Sequence, residues 1–150
     1  MTETKLHAIR IRVAGLVIQD GKLLLIEHQK DGRGYWLVPG GGVEFGEACE
    51  AAVIREMKEE LNIDVKVKDL AFASDSIGRE DNRHILNLFF SCDYTGGEYR
   101  LADEERLLKF DFFTAAEIRK LKMFPPCNET AALYLEGKKF PVYLGELWER

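Results

Sequence analysis

Apolar and polar positions along the chain change their period several times, and each change marks an element. Residues 7–18 alternate and then run apolar (IRIRVAGLVI), Lys22 to Ile26 (KLLLI) is a second apolar run, and Gln19, Asp20 and Gly21 between them predict a hairpin. Asp31 to Gly34 reads as a flexible loop, after which YWLV is a short strand stopped by Pro39 and the glycines Gly40, Gly41 and Gly42. From Glu47 to Leu61 there is no Gly or Pro and good helix formers dominate, so a helix is expected at once, with Asn62 as its left-handed stop. Ile63 to Leu70 alternates strictly, as a half-buried strand does, and residues 71–77 continue it; residues 78–83 (GREDNR) read as a polar loop. His84 to Cys92 is a strongly apolar strand that ends by the pair Gly96 and Gly97, and Leu107 to Phe113 is another strand. Thr114, with Glu117 three residues on, forms a capping box for a helix in a region that Pro125 and Pro126 close. Asn128 to Gly137 reads as a short helix and Phe140 to Leu144 as a terminal extended segment. Such alternation fits an α/β class chain, an α/β/α sandwich in which helices cover a mixed sheet.

On a helical wheel at about 100° per residue, the segment after the glycines separates two faces. Ala51, Val53, Ile54, Met57 and Leu61 fill an arc expected to face a core, and Glu56, Glu59 and Glu60 fill the opposite one, bordered by the small residues Ala48 and Ala52. Like charges three or four residues apart destabilise a helix by about 0.2–0.5 kcal/mol per pair. A hard divalent cation would relieve that repulsion while keeping positions for water and phosphate. Arg55, beside Glu59 and one helix span from Glu47, can hold carboxylates by bidentate contact. Taken alone, an acidic arc of this kind usually marks only a solvated face.

The 150 residues fit one compact domain spanning 1–150, and the formal net charge of −5 argues against an electrostatic grip on nucleic acid. Anionic substrates would then need a metal. Cys49, Cys92 and Cys127 are widely spaced without a CxxC pair, which suggests neither a disulfide framework nor a zinc site but reduced thiols in a cytoplasmic protein. The start MTETKLHAIRIR lacks the apolar core of a signal peptide, and no segment approaches membrane-span length, so no membrane partner is expected. Val142, Tyr143, Leu144, Leu147 and Trp148 form an apolar segment expected to pack on the core or on a second copy in a homodimer.

The stretch from Gly41 to Ile63 resembles the signature of the Nudix hydrolase family, MutT-like nucleotide pyrophosphohydrolases. Gly41, Glu47, Arg55, Glu56, Met57, Glu59, Glu60 and Ile63 meet it in register, and Asn62 stands where the family has Gly, at a place needing the left-handed stop that Asn also tolerates. The resemblance implies the Nudix fold and hydrolysis of a pyrophosphate link in a nucleotide-derived small molecule with Mg2+ or Mn2+. Glu56, Glu59 and Glu60 would be metal ligands, joined by the Gly40 carbonyl, with Glu47 and Arg55 in the catalytic set. In the family a loop glutamate before the strand at 107–113 can serve as general base, which makes Glu105 the first choice here and Glu59 the second. His28 follows a strand where the family often has a basic residue on substrate, although a structural imidazole explains it equally well; Arg33 and Tyr35 are placed at the border of the substrate opening. Arg10 and Arg12 share one face of their strand, within reach of a phosphate or of solvent. No accessory motif for a particular nucleotide accompanies the signature. A nucleotide-binding sensor on the same fold is the alternative, although such a module would be expected to lose signature glutamates.

Overall fold

Two Asp-Gly pairs shape the first part of the sheet. Asp20 and Gly21, and again Asp31 and Gly32, all take positive φ (52°, 73°, 54° and 76°) in the computed structural model, which describes residues 7–148. This is the two-residue turn whose twist matches its flanking strands, and Gly accepts it at no steric cost. Strand β1 (Arg10–Gln19) thereby turns into β2 (Lys22–Lys30), and β2 into β3 (Arg33–Leu37). The flexible loop expected over Asp31 to Gly34 is therefore a tight turn, with Lys30 paired directly to Arg33.

β1 and β2 pair only at Ile18↔Leu23 and Gln19↔Lys22 and then diverge. β1 takes the three-glycine strand β4 (Gly40–Gly42) as an antiparallel neighbour, while β2 takes β3 and, along its other edge, β7 (Leu107–Phe113). On its far side β1 runs parallel to β6 (Arg83–Gly97), which pairs antiparallel with the long, bulged β5 (Ile63–Gly78), and β8 (Tyr143–Glu146) adds in parallel to β5. The sheet is mixed, as expected. Residues 63–77 form one strand, and part of the 78–83 loop is a single 3-10 turn, Arg79–Asp81.

Helices cover both faces. α1 (Cys49–Leu61) packs on Val13, Val17, Leu24 and Ile26 through Ala52, Val53, Met57 and Leu61. The intervening positions Ala14, Leu16, Leu23 and Leu25 face the other way, against Phe72, Phe89 and the short helices α2 (Ala115–Ile118) and α3 (Asn128–Leu135). Period-two alternation has thus sorted one strand's side chains into two cores. Thr114 and Glu117 form the expected capping box, although the helix they open lasts one turn. Asn62 ends α1 at φ 58°, ψ 32°, the left-handed stop expected of it.

α1 is turned on its axis from the expected orientation. Ile54 is 41% exposed and Ala51 is exposed, whereas Ala52 and Glu60 are buried. The reason lies in β4, whose backbone approaches the helix closely enough to exchange hydrogen bonds with it, as described below. Leu144 and Leu147 pack on the second core, while Val142 and Tyr143 stay exposed. The reading of residues 1–6 as part of a segment without a leader core lies outside the described residues. Among the described residues no helix is long and apolar enough to cross a membrane, and the three cysteines are free.

Candidate active site

The three glycines of β4 act through their backbone. Gly15 donates its N–H to the Pro39 carbonyl and Val43 to that of Ile11, so the ladder bonds of this antiparallel pair fall on alternate residues and leave Gly40 and Gly42 facing away from β1. Both turn instead to α1. The Gly40 N–H donates to Glu60 Oε1 at 3.0 Å, and the Gly42 carbonyl accepts from Arg55 Nη2 at 3.0 Å. A Cβ at Gly40 would collide with the Val13 carbonyl, and one at Gly41 with the Glu56 carboxylate, so close approach requires glycine at both.

Arg55 spends its donor fork on carboxylates. Its Nε and Nη2 hold the two oxygens of Glu47 at 2.8 and 2.9 Å, a bidentate pair, while Nη1 donates to Glu56 at 2.8 Å and to Glu59 at 3.3 Å. These bonds, with the Glu44 N–H, hold the Glu47 carboxyl down at about 2. Glu56 responds in the opposite direction. Burial raises its carboxyl above the ordinary value, and the charges of Glu60 and Glu59 add to the rise while Arg55 opposes it.

Glu60 is only 2% exposed, and its Oε2 has no hydrogen-bond partner among the described residues. An unsatisfied buried polar atom costs about 1–3 kcal/mol, more if charged. His28 Nε2 at 3.7 Å and Arg106 Nη2 at 3.9 Å stand off at more than hydrogen-bond distance, and His28 Nε2 is itself buried and unpartnered. Among the described residues no three His, Cys, Asp or Glu side chains converge into a complete cation site. The donor set nevertheless suits magnesium, which characteristically takes one or two carboxylates from the protein and its other oxygens from water and phosphate. In an extended strand a residue's carbonyl and N–H point to the same edge, which turns the Gly40 carbonyl away from β1.

Glu56, Gly40, Gly41 and His28 line one cavity of about 510 Å³ together with Arg10, Arg12, Asn87 and Arg106. Arg12 reaches the Val38 carbonyl at 2.8 Å, and burial lowers it from the ordinary arginine value. Of the substrate candidates, His28 and Tyr35 line this cavity, their rings 5.8 Å apart, while Tyr35 and Arg33 line a larger neighbouring one. Glu59 is outside the buried stripe with a 60% exposed side chain. Glu105 lines an adjoining opening with Asp31 and Glu104, joined to the first through Gln29 and Arg106. Arg106, Asn87, Arg83 and Phe124 were not singled out from the sequence. The only local signal was for Arg106, which follows Glu105; the others sit in strands or just before a pair of prolines, where a sequence shows no reason to look.

Three comparisons bear on this geometry. The NUDIX domain family model matches residues 9–133. An ADP-ribose pyrophosphatase of Methanocaldococcus jannaschii is 36% identical over 112 residues, covering 74% of this chain and 65% of that protein, so the chain spans just under two thirds of this relative. A nucleoside triphosphatase NudI of Escherichia coli is 31% identical over 107 residues, covering 63% of this chain and 76% of that protein. Among solved structures, the MutT NUDIX hydrolase from Burkholderia pseudomallei superposes with a TM-score of 0.72 at 25% identity, over 86% of this chain and 97% of that one. With the glycine strand, the clamped glutamates and a family model covering most of its length, the chain belongs to the NUDIX domain family.

Proposed function

We propose that the chain hydrolyses a pyrophosphate link in a nucleoside diphosphate or triphosphate derivative with a divalent cation, Mg2+ or Mn2+, held by Glu56, Glu60, Glu59 and the Gly40 carbonyl. The observation that carries this reading is Glu60, a buried carboxylate with one oxygen tied to the Gly40 N–H and the other unpartnered. When bound, the cation supplies charge neutralisation at the phosphate oxygens and makes water more acidic. The chain's own residues do the rest. Arg55 and Glu47 lock the Glu56 carboxylate in its rotamer, and Arg10, Arg12 and Arg106 offer positive charge around the phosphates. Water attacks phosphorus, its proton passes to a carboxylate, and the bond to the bridging oxygen breaks so that two phosphate-bearing halves leave. Glu105 and Glu59 are the two carboxylates assigned to that proton. The names of the two relatives, a pyrophosphatase and a nucleoside triphosphatase, support the reaction class.

The test is nucleotide or phosphate release from a panel of nucleotide sugars, ADP-ribose, dinucleoside polyphosphates and nucleoside triphosphates, with either metal and with Glu60→Gln as control. Turnover that the control loses is expected. Nucleotide binding without turnover would instead make the chain a sensor. Glu105→Gln and Glu59→Gln, compared on the preferred substrate, assign the base to whichever variant loses the acidic limb of the rate profile, where the native base is protonated.

A further inference from the structure

The glutamate cavity opens into a larger one of about 850 Å³, with Lys30, Tyr35, Arg83 and Phe124 lining both. Five cations line the larger space, Lys30, Arg33, Arg83, Lys120 and Lys122, against two acids, Asp31 and Asp81. In a chain of net charge −5 this is a concentration of the minority sign. Several cations elsewhere on the surface are paired, Lys58 with Asp64, Arg79 with Glu146 and Arg119 with Glu129 and Glu136, but these do not gather around a concave space. None of the five has an ion-pair partner among the described residues. Unpaired like charges around a concave space focus a field that favours an anion.

A row of aromatic rings runs through the same space. It starts at His28, beside Glu60, and continues to Tyr35 at 5.8 Å, to Phe124 at 6.4 Å edge to face, and to Trp148 at 5.1 Å edge to face. Trp148 is seated against Gly78, where a Cβ would overlap its ring, and its buried Nε1–H has no partner among the described residues. Aromatic side chains lining a cleft are what a planar ligand packs against. The volume falls within the range of small-molecule sites, roughly 300–1,000 Å³.

We propose that this cleft seats the far half of the substrate, and that this half carries an aromatic ring and at least one phosphate beyond the scissile pyrophosphate. A neutral sugar would leave the five unpaired cations without counter-charge, whereas a nucleotide with further phosphates uses both the cations and the rings. The extra phosphate has two sources, a longer phosphate bridge between two nucleosides or a phosphate on the far ribose. The assignment rests on the pyrophosphohydrolase reading for the position of the scissile link.

Lys120 and Lys122 are both exposed, so reversing their charge leaves the cores intact. Binding is measured by calorimetry with magnesium, using a methylene-bridged dinucleoside tetraphosphate, a dinucleotide with a ribose phosphate, and ADP-ribose, on the native chain and on Lys120→Glu/Lys122→Glu. The expected result is a fall of about tenfold in affinity for one of the two phosphate-rich ligands relative to ADP-ribose, and a steeper salt dependence of the native chain for that ligand. The ligand that responds identifies the source. An unchanged ratio for both overturns the proposal, as does preferential binding of a 5′-triphosphate RNA that the same variant abolishes. If the ratio shifts but the hydrolysable forms of these ligands are not turned over, the cleft is a binding site for a phosphate-rich nucleotide and the hydrolase reading, with the far-half assignment that rests on it, fails.

Discussion

The two cavities share four lining residues and are built in opposite ways. The smaller has at its centre the glycines of β4 and the glutamates of α1, tied to each other by bonds from Gly40 and Arg55, with side chains of other strands around them. The larger gathers side chains from the β2–β3 turn, the turn at 79–83, the segment after α2, the start of α3 and the residue Trp148, and leaves its cations without counterions. The carboxylates of the first are already held by hydrogen bonds without a ligand, which suits chemistry that depends on geometry. The second presents charge and rings without counterions, which suits selection among ligands. Chemistry and selectivity therefore have different sensitivities to mutation.

The largest expected effect is at Glu60. Glu60→Gln retains an oxygen to accept the Gly40 N–H but removes a buried charge, so kcat should fall by a hundredfold or more, while the melting temperature of the metal-free protein holds or rises. Kinetics and thermal unfolding on the same sample check both halves; full activity would remove Glu60 from the metal set. Gly41→Ala comes next. Its methyl group overlaps the Glu56 carboxylate and should displace it, lowering kcat by roughly tens of fold through a weaker metal affinity that titration calorimetry measures. Arg55→Lys replaces a fork with a point charge and should cost about tenfold in kcat with little change in KM.

Salt should separate the two regions more gently. Raising ionic strength from about 0.05 to 0.5 M shortens the screening length severalfold, so KM for a phosphate-rich substrate should climb by a few fold while kcat stays level. A matching fall in kcat would mean that the glutamate cavity, and not the cleft, senses the salt. The smallest effect is on stability. The native Glu47 carboxyl is held at about 2, below its ordinary 4.5, so its contribution is full above 4.5 and disappears as pH falls through about 2. The difference in melting temperature between the native chain and Glu47→Gln should therefore be constant near neutrality and close in acid.

Asn62 and the Asp-Gly pairs show why much of the fold was legible: their backbone preferences are properties of the residues and their nearest neighbours. The second Asp-Gly pair carries the same signal as the first, but the short strand after it offers little alternation to frame a turn, so the sequence alone does not distinguish it from a loop. The orientation of α1 was not legible. Hydrophobicity alone places Ile54 inward and Glu60 outward, and only the unpaired Gly40 N–H, supplied by a strand twenty residues earlier, makes burial of Glu60 tolerable.

By itself the sequence determined the order of most elements, the stops at turns and helix ends, and the kind of chemistry that clustered glutamates and an arginine can support, because these depend on spacing along the chain. The tertiary structure decided which carboxylate is buried, that Arg106 rather than Glu105 reaches toward it, and that Trp148 joins Phe124 and Tyr35 beside five unpaired cations. Those outcomes depend on distances between segments far apart in sequence, set by how β1 and β2 diverge and by which neighbours fill the gap between them.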